Sequence, residues 1–264
     1  MKTRDGVYRT ALVTGASSGI GRALAAWLAR KGVHVFAAAR RLEALKALEA
    51  ELQSAPGKLE AVALDVADAR GTLQQIQELD SASGGLDLVV ANAGVGFNTP
   101  AKRFQWEHVE RIIQVNVLGA SATLCAVLPR MVERNSGHLV GISSLAGLRG
   151  FPRVAAYSAS KAYLATFLEG LRVDLKSTQV KVTSVYPGFV KSEMTAKNKF
   201  KMPFLLETDD AADRMGRAIL RGDKLFAYPW PMVFAARAAR LVPDAVVARV
   251  MGKSGVKPAS SARS

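Results

Sequence analysis

The sequence predicts an α/β protein built on a parallel sheet with helices on both faces. Short, apolar, β-branched segments alternate with longer helical ones from residue 10 to residue 186. The short segments are apolar at consecutive positions, as strands buried on both faces must be. A glycine-rich junction follows the first of them directly, where a chain leaving a sheet edge turns into a helix.

Taken in order, residues 10–14 (TALVT) form the first strand and 20–30 a periodic helix ended by Gly32. Residues 33–38 give the second strand and 42–52 the second helix. A third strand at 61–64 ends at Asp65, and a fourth at 86–91 is closed by Asn92, Ala93 and Gly94. Residues 106–134 read as one long helix, 138–143 as a fifth strand and 157–176 as another helix. The sixth strand, 180–186, is stopped by Pro187 and Gly188. Residues 189–206 mix basic and apolar positions without a clean period and read as a mobile flap. Thr208 before Asp209 and Asp210 looks like a capped helix start, with the helix running to Arg221. Residues 225–228 suit a last strand, and 231–251 one or two helical stretches broken at Pro243. No linker marks a boundary, so residues 1–252 are expected to form one domain, with a disordered tail at 253–264.

A chain of 264 residues can bury a core without disulfides or metals. The one cysteine, Cys125, lies in an apolar helical run and reads as core; its solitude fits a reducing, cytoplasmic setting. The formal charge of +14 is spread along the chain, without a polybasic arm, zinc-finger spacing or aromatic platform. Nucleic-acid binding is therefore not expected. His34, His108 and His138 are dispersed, which argues against a metal site. After Lys2, Arg4 and Arg9 the apolar run is too short for a signal peptide. No uninterrupted apolar run is long enough for a membrane span.

Two constellations carry chemistry. The first is Thr14-Gly15-Ala16-Ser17-Ser18-Gly19-Ile20-Gly21, between a strand and a helix. A dinucleotide pyrophosphate must approach backbone N–H groups at a helix N-terminus, where side chains would block it. Gly15, Ser17, Ser18, Gly19, Ile20 and Gly21 are the candidate cofactor contacts. The spacing is Gly-x-x-x-Gly-x-Gly, and no Lys-Ser/Thr follows, so it is not a P-loop. The second strand ends without the acid that would bind the adenosine ribose hydroxyls of NAD; Arg40 and Arg41 follow instead. A guanidinium pairs with a 2′-phosphate, so NADP(H) is the expected cofactor, with Arg40 as its ligand and Ser17 as a hydroxyl partner.

The second constellation is Tyr157-Ser158-Ala159-Ser160-Lys161, which puts Tyr157 and Lys161 on one helix face. A nearby ammonium is expected to lower the phenol's pKa and make it a proton shuttle. Ser144, at the end of the fifth strand, can hold the substrate oxygen.

With these motifs, Asp65, Asn92-Ala93-Gly94, Asn116 and Pro187-Gly188, the chain resembles the short-chain dehydrogenase/reductases across residues 8–228. The resemblance implies a doubly wound, seven-stranded Rossmann sheet and reversible reduction of a ketone or aldehyde to an alcohol. It implies catalytic roles for Ser144, Tyr157 and Lys161, and selects Ser144 over Ser143 by its spacing from the tyrosine. It makes Asn116 a helix-distorting residue that holds a relay water. It places Asp65 and Val66 at the adenine and Asn92, Ala93 and Gly94 beside the cofactor. It puts Lys161 on the nicotinamide ribose, Pro187, Gly188 and Val190 at the nicotinamide, and Ser192 where a threonine is usual. It also implies homodimers or homotetramers packed through the two long helices.

An apolar flap (Met194, Phe200, Met202, Phe204 and Leu205) suits a hydrophobic substrate, and Lys197, Lys199 and Lys201 read as solvated. The aromatic and basic segment from Tyr228 through Pro243 suits packing on protein, with peripheral membrane contact as the alternative. The competing functional readings are an NADP(H)-sensing interaction protein with little turnover and a membrane-peripheral lipid-modifying reductase.

Overall fold

The computed structural model describes residues 8–196, 201–243 and 245–247. Seven parallel strands form one sheet: β1 Thr10–Thr14, β2 His34–Ala39, β3 Leu59–Ala63, β4 Leu88–Ala91, β5 Gly137–Ile142, β6 Val180–Pro187 and β7 Leu225–Tyr228. Their order is β3-β2-β1-β4-β5-β6-β7. The chain winds outward from β1 to β3, then crosses back to β4 and continues the other way. A crevice opens at this reversal, beyond the C-terminal ends of β1 and β4.

The flanking helices are α1 Gly19–Arg30, α2 Leu42–Glu51, α3 Ala69–Ala82, α4 Trp106–Ile112, α5 Ala120–Cys125, α6 Leu128–Glu133, α7 Ala155–Asp174, α8 Glu193–Ala196, α9 Thr208–Arg221 and α10 Trp230–Ala239. Alternate strand residues face opposite layers. Ala11, Val13, Val35 and Ala37 meet the small residues of α1 and the inner side of α9. Leu12, Phe36, Val89 and Leu139 meet α3, α5 and α7. The inner strands β1, β2, β4 and β5 are buried on both faces, as their unbroken apolar runs require.

Three elements depart from the sequence reading. Helix α3 is not anticipated by it, because two of the helix's three buried residues, Thr72 and Asp80, are polar and hide its period. Asp68 caps it, accepting from Gly71 N at 3.0 Å, and the fully buried Asp80 is paired with Arg130 at 2.8 Å. The expected long helix is interrupted: Ile113–Gly119 is π-helical, in keeping with the distortion that the resemblance implies at Asn116, and α5 and α6 are separated by a turn. The described residues of the flap region carry regular elements where none is expected, namely α8 and a parallel bridge between Val190 and Leu206, and Val190 is buried.

The stretch Trp106–Glu133 is long and apolar enough to cross a membrane by length and composition. Its polar residues interrupt the apolar run, so a search for uninterrupted runs does not find it. Its π segment and α5 pack against α3, β4 and α7, in the inner layer beside the sheet. Lys2, Arg4, Lys197, Lys199, Phe200 and residues 248–264 lie outside the described residues.

At the N-terminal end of β5, an interior strand of the sheet, His138 is buried. Its Nδ1 lies 2.6 Å from the Tyr8 hydroxyl and its Nε2 2.8 Å from Thr183 Oγ1. Burial pushes its pKa down to about 3, with Lys181 adding to the shift.

Candidate active site

The C-terminal end of β5 delivers two adjacent serines with different fates. Ser143 is buried and donates to the Lys161 carbonyl at 2.8 Å, so its hydroxyl fastens α7 to the sheet. Ser144 caps the short helical turn that follows, accepting from Ala146 N at 3.1 Å, and its hydroxyl lies near enough to the Tyr157 phenol to favour the phenolate. The first turns of α7 thus bring Tyr157 against Ser144. Tyr163, farther along, meets Ser121 on the outer side of the same helix.

Lys161 is 5% exposed, its Nζ donating to the Ile142 carbonyl at 2.8 Å and lying 5.9 Å from the centre of the Tyr157 ring. Burial lowers its pKa to about 8. The Tyr157 phenol is pushed up by burial, an effect partly offset by the Ser144 hydrogen bond. This corrects the expectation that the ammonium would lower the phenol. Lys161 is itself short of solvation, and burial dominates at both groups.

Asn116 sits in the π segment. Its Oδ1 accepts from Val95 N at 2.8 Å, while its Nδ2 donates to Val95 O at 2.9 Å and to Ser160 Oγ at 3.0 Å. The side chain therefore locks the loop after β4 to α7, while the wider turn displaces carbonyls from regular helical pairing. Ser160, which sequence reasoning does not single out, completes this link by donating to the Tyr157 carbonyl at 2.7 Å.

Across the crevice, the glycine turn is bare for steric reasons. A Cβ on Gly15 would stand 2.7 Å from Ala93 Cα, and one on Gly21 would stand 2.3 Å from Asn92 Nδ2 and 2.4 Å from Gly15 O. Gly15 and Gly19 have φ of +69° and +55°, where L side chains are strained. Asn92 donates to Thr14 O at 2.8 Å and joins the ends of β1 and β4. Ser18 occupies the N-cap of α1 without a side-chain cap, and Ile20 lies in the first turn. The first-turn N–H groups of α1 thus lack a capping side chain, as an anion site requires.

Ser17 meets Arg41 rather than Arg40: Arg41 Nε lies 3.2 Å from Ser17 Oγ, and its Nη1 is 3.0 Å from Glu193 of α8. Both arginines are exposed beyond the end of β2. Arg41 is the N-cap of α2, with non-helical dihedrals that swing it back over the turn. Asp65 accepts from Ala67 N at 3.1 Å and lies 3.6 Å from Arg111. Val66 is buried, its carbonyl covered by Gly119.

Pro187 ends β6, and Gly188 donates to Tyr228 O at 2.8 Å. Ser192 stands over Gly19 and receives a partner absent from the sequence reading. Thr195 Oγ1 accepts from Ser192 N at 2.9 Å and donates to Val190 O at 2.7 Å. Gly94 lies beside Lys161 Nζ and Asn116. A Cβ on Gly96 would touch both the Tyr157 ring and Met194 at 3.5 Å, which marks a wall of the cleft. Of the flap residues expected there, Met194, Phe204 and Leu205 are exposed.

The arrangement places Tyr157 against Ser144, and a buried lysine behind them, beside a glycine turn at a sheet reversal. Residues 9–202 match the family model described as short chain dehydrogenase. An uncharacterised oxidoreductase of Myxococcus xanthus is 62% identical over 237 residues, covering 90% of this chain and 94% of its own. A short-chain dehydrogenase from Sphingobium yanoikuyae, solved in complex with NADPH, superposes with a TM-score of 0.78 at 27% identity, covering 96% of this chain and 98% of its own. An alcohol dehydrogenase from Thermococcus sibiricus complexed with 5-hydroxy-NADP gives a TM-score of 0.74 at 26% identity, covering 83% and 94%. With the model spanning most of its length and so near a relative, this chain belongs to the short chain dehydrogenase family of oxidoreductases.

Proposed function

We propose that the protein interconverts a ketone or aldehyde and its alcohol with NADP(H), with Tyr157 as the acid and base. The carrying observation is the placement of Tyr157 against Ser144 beside the buried Lys161, at the same end of the sheet as the glycine turn. The bound nicotinamide supplies or accepts the hydride. In reduction, Tyr157 Oη gives its proton to the carbonyl oxygen, and in oxidation it takes that proton back. Ser144 donates to the same oxygen and holds it at the phenol. Burial keeps Tyr157 protonated at neutral pH, the state required of a donor. Lys161, with its pKa lowered to about 8, passes a proton more readily than a solvated lysine. Asn116, held in the π segment, would support the relay water that the resemblance implies.

The residues present fit the dinucleotide. Gly15, Ser17, Ser18, Gly19, Ile20 and Gly21 would hold its pyrophosphate at the uncapped N-terminus of α1. Asp65 and Val66 would meet the adenine. Asn92, Ala93, Gly94, Pro187, Gly188, Val190 and Ser192 would border the nicotinamide half, and Lys161 its ribose. Arg40 and Arg41 stand beyond β2 where a 2′-phosphate would be, and the NADPH and 5-hydroxy-NADP complexes of the two structural relatives support that assignment. Residues 1–252 would act as one catalytic domain. Exposed Ile113, Leu118, Tyr163 and Val173 on the two long helices suit a homodimer or homotetramer.

A panel of ketones, aldehydes and alcohols followed at the nicotinamide absorbance, with each cofactor, tests the reading. Turnover with NADPH should exceed that with NADH, and Tyr157→Phe should remove at least about a hundredfold of it. Parent activity no higher than that of Tyr157→Phe would overturn the proposal.

A further inference from the structure

The outward side of α10 differs from the surrounding surface. Trp230, Phe234, Arg237 and Leu241 follow one another at helical spacing and share one stripe, with Leu241 in the turn after the helix. Trp230, Phe234 and Leu241 are 79%, 73% and 88% exposed. The opposite side of the helix is occupied: Met232, Val233 and Ala236 pack on Leu145, Leu148 and Tyr186. Arg149 Nη1 donates to the Ala239 carbonyl and, at 2.8 Å, to that of Val242. The helix is thus seated by one face, and its large apolar side chains are held outward.

Charge selects what would cover them. Residues 229–264 carry Arg237, Arg240, Arg249, Lys253, Lys257 and Arg263 against Asp244 alone. A two-fold contact with a second copy through this stripe would bring like charges together. An aromatic and aliphatic stripe bearing an arginine, in a basic segment, complements anionic headgroups above a hydrocarbon boundary. We propose that the outward face of α10 is a peripheral docking surface for an anionic lipid bilayer.

The surface adjoins the cleft. Met232 Sδ stands 3.3 Å from the Cβ position of Gly188, which borders the nicotinamide in the proposed function. On that reading, docking brings the cleft mouth to the lipid, where a bilayer-dissolved carbonyl compound would be met. Only this last step rests on the proposed function; lipid binding itself does not.

The test is flotation of the full chain, without cofactor or substrate, on phosphatidylcholine vesicles with and without phosphatidylglycerol. The parent should float with the anionic vesicles. Trp230→Ser/Phe234→Ser/Leu241→Ser should weaken that binding by at least about tenfold. Arg237→Gln/Arg240→Gln should remove the preference for phosphatidylglycerol. Both variants should keep parent turnover of a water-soluble carbonyl compound, and Phe234→Ser alone replaces the triple variant if that fails to fold. The proposal is overturned if the parent stays in the aqueous layer or if the apolar variant floats as the parent does. Light scattering showing that the apolar variant breaks an oligomer, with no vesicle binding by the parent, would assign the stripe to a second copy and equally overturn it.

Discussion

Lys161 reaches under the ring of Tyr157 to the Ile142 carbonyl, 2.8 Å from its Nζ, and this buried ammonium weakens the fold it serves. Its folded pKa of about 8 lies below the ordinary 10.5. Between those values the unfolded chain binds more protons, so the stability contributed here rises with pH across that window and is absent below it. The full penalty at pH 7 is about 3 kcal/mol. Lys161→Met forfeits the hydrogen bond to Ile142, worth about 1 kcal/mol. The variant should therefore be about 2 kcal/mol more stable at pH 7 while losing over about a hundredfold in kcat. Urea unfolding at pH 7 and pH 10 checks this; a variant no more stable than the parent at pH 7 refutes it.

Arg41 bridges the glycine turn and the flap through Ser17 and Glu193. Arg41→Ala should raise the KM for NADPH about tenfold, the value of one charge-assisted contact, and leave that for NADH unchanged. Glu193→Gln should lower the KM for NADPH by about twofold, since an exposed pair holds its arginine only weakly. Equal losses with both cofactors in Arg41→Ala would place the guanidinium away from the 2′-phosphate. Arg40→Ala, measured alongside, separates the two arginines.

Gly21→Ala should cost about 1–3 kcal/mol, because the new methyl meets Asn92 Nδ2 and Gly15 O at once. Nucleotide binding, followed by fluorescence quenching, should fall with it. Gly32→Ala provides the contrast: φ there is +85°, but no atom lies within 4 Å of the added carbon. That variant should be destabilised with unchanged nucleotide affinity. Unimpaired binding by Gly21→Ala would show that the turn yields.

His138 predicts acid sensitivity. Its folded pKa of about 3 is well below the ordinary 6.5, so the unfolded chain takes up a proton that the folded chain refuses. The stability is present above pH 6.5 and declines as pH falls through the window toward 3. At pH 5 the loss from this group is about 2 kcal/mol. Chemical denaturation at pH 7 and pH 5 should show that difference, and His138→Gln should reduce it. An undiminished difference in the variant would assign the sensitivity to other groups.

The sheet and the glycine turn are legible in the sequence because each rests on local pattern. The Ser144–Tyr157–Lys161 set is legible only through the family resemblance, since a tyrosine and a lysine one helical turn apart say little by themselves. Strand burial shows as apolar runs, and a tight turn needs glycine whatever surrounds it. The π segment leaves no such mark, since adding one residue to a turn does not alter the apolar content around Asn116. Thr72 and Asp80 conceal α3 because their burial depends on partners such as Arg130, distant in sequence. Which arginine reaches Ser17 turns on the backbone at Arg41, one residue past the point where strand reasoning stops. Thr195 lies in a four-residue helix, too short for any period to announce.

Arg149 follows Ser144 by five positions, yet two of its partners are carbonyls at the C-terminal end of α10. The loop after Ser144 and the C-terminal end of α10 therefore form one mechanical unit. A chain shortened before residue 239 would lose this brace, and its lowered turnover would report loosened scaffolding around Ser144 rather than a missing chemical group.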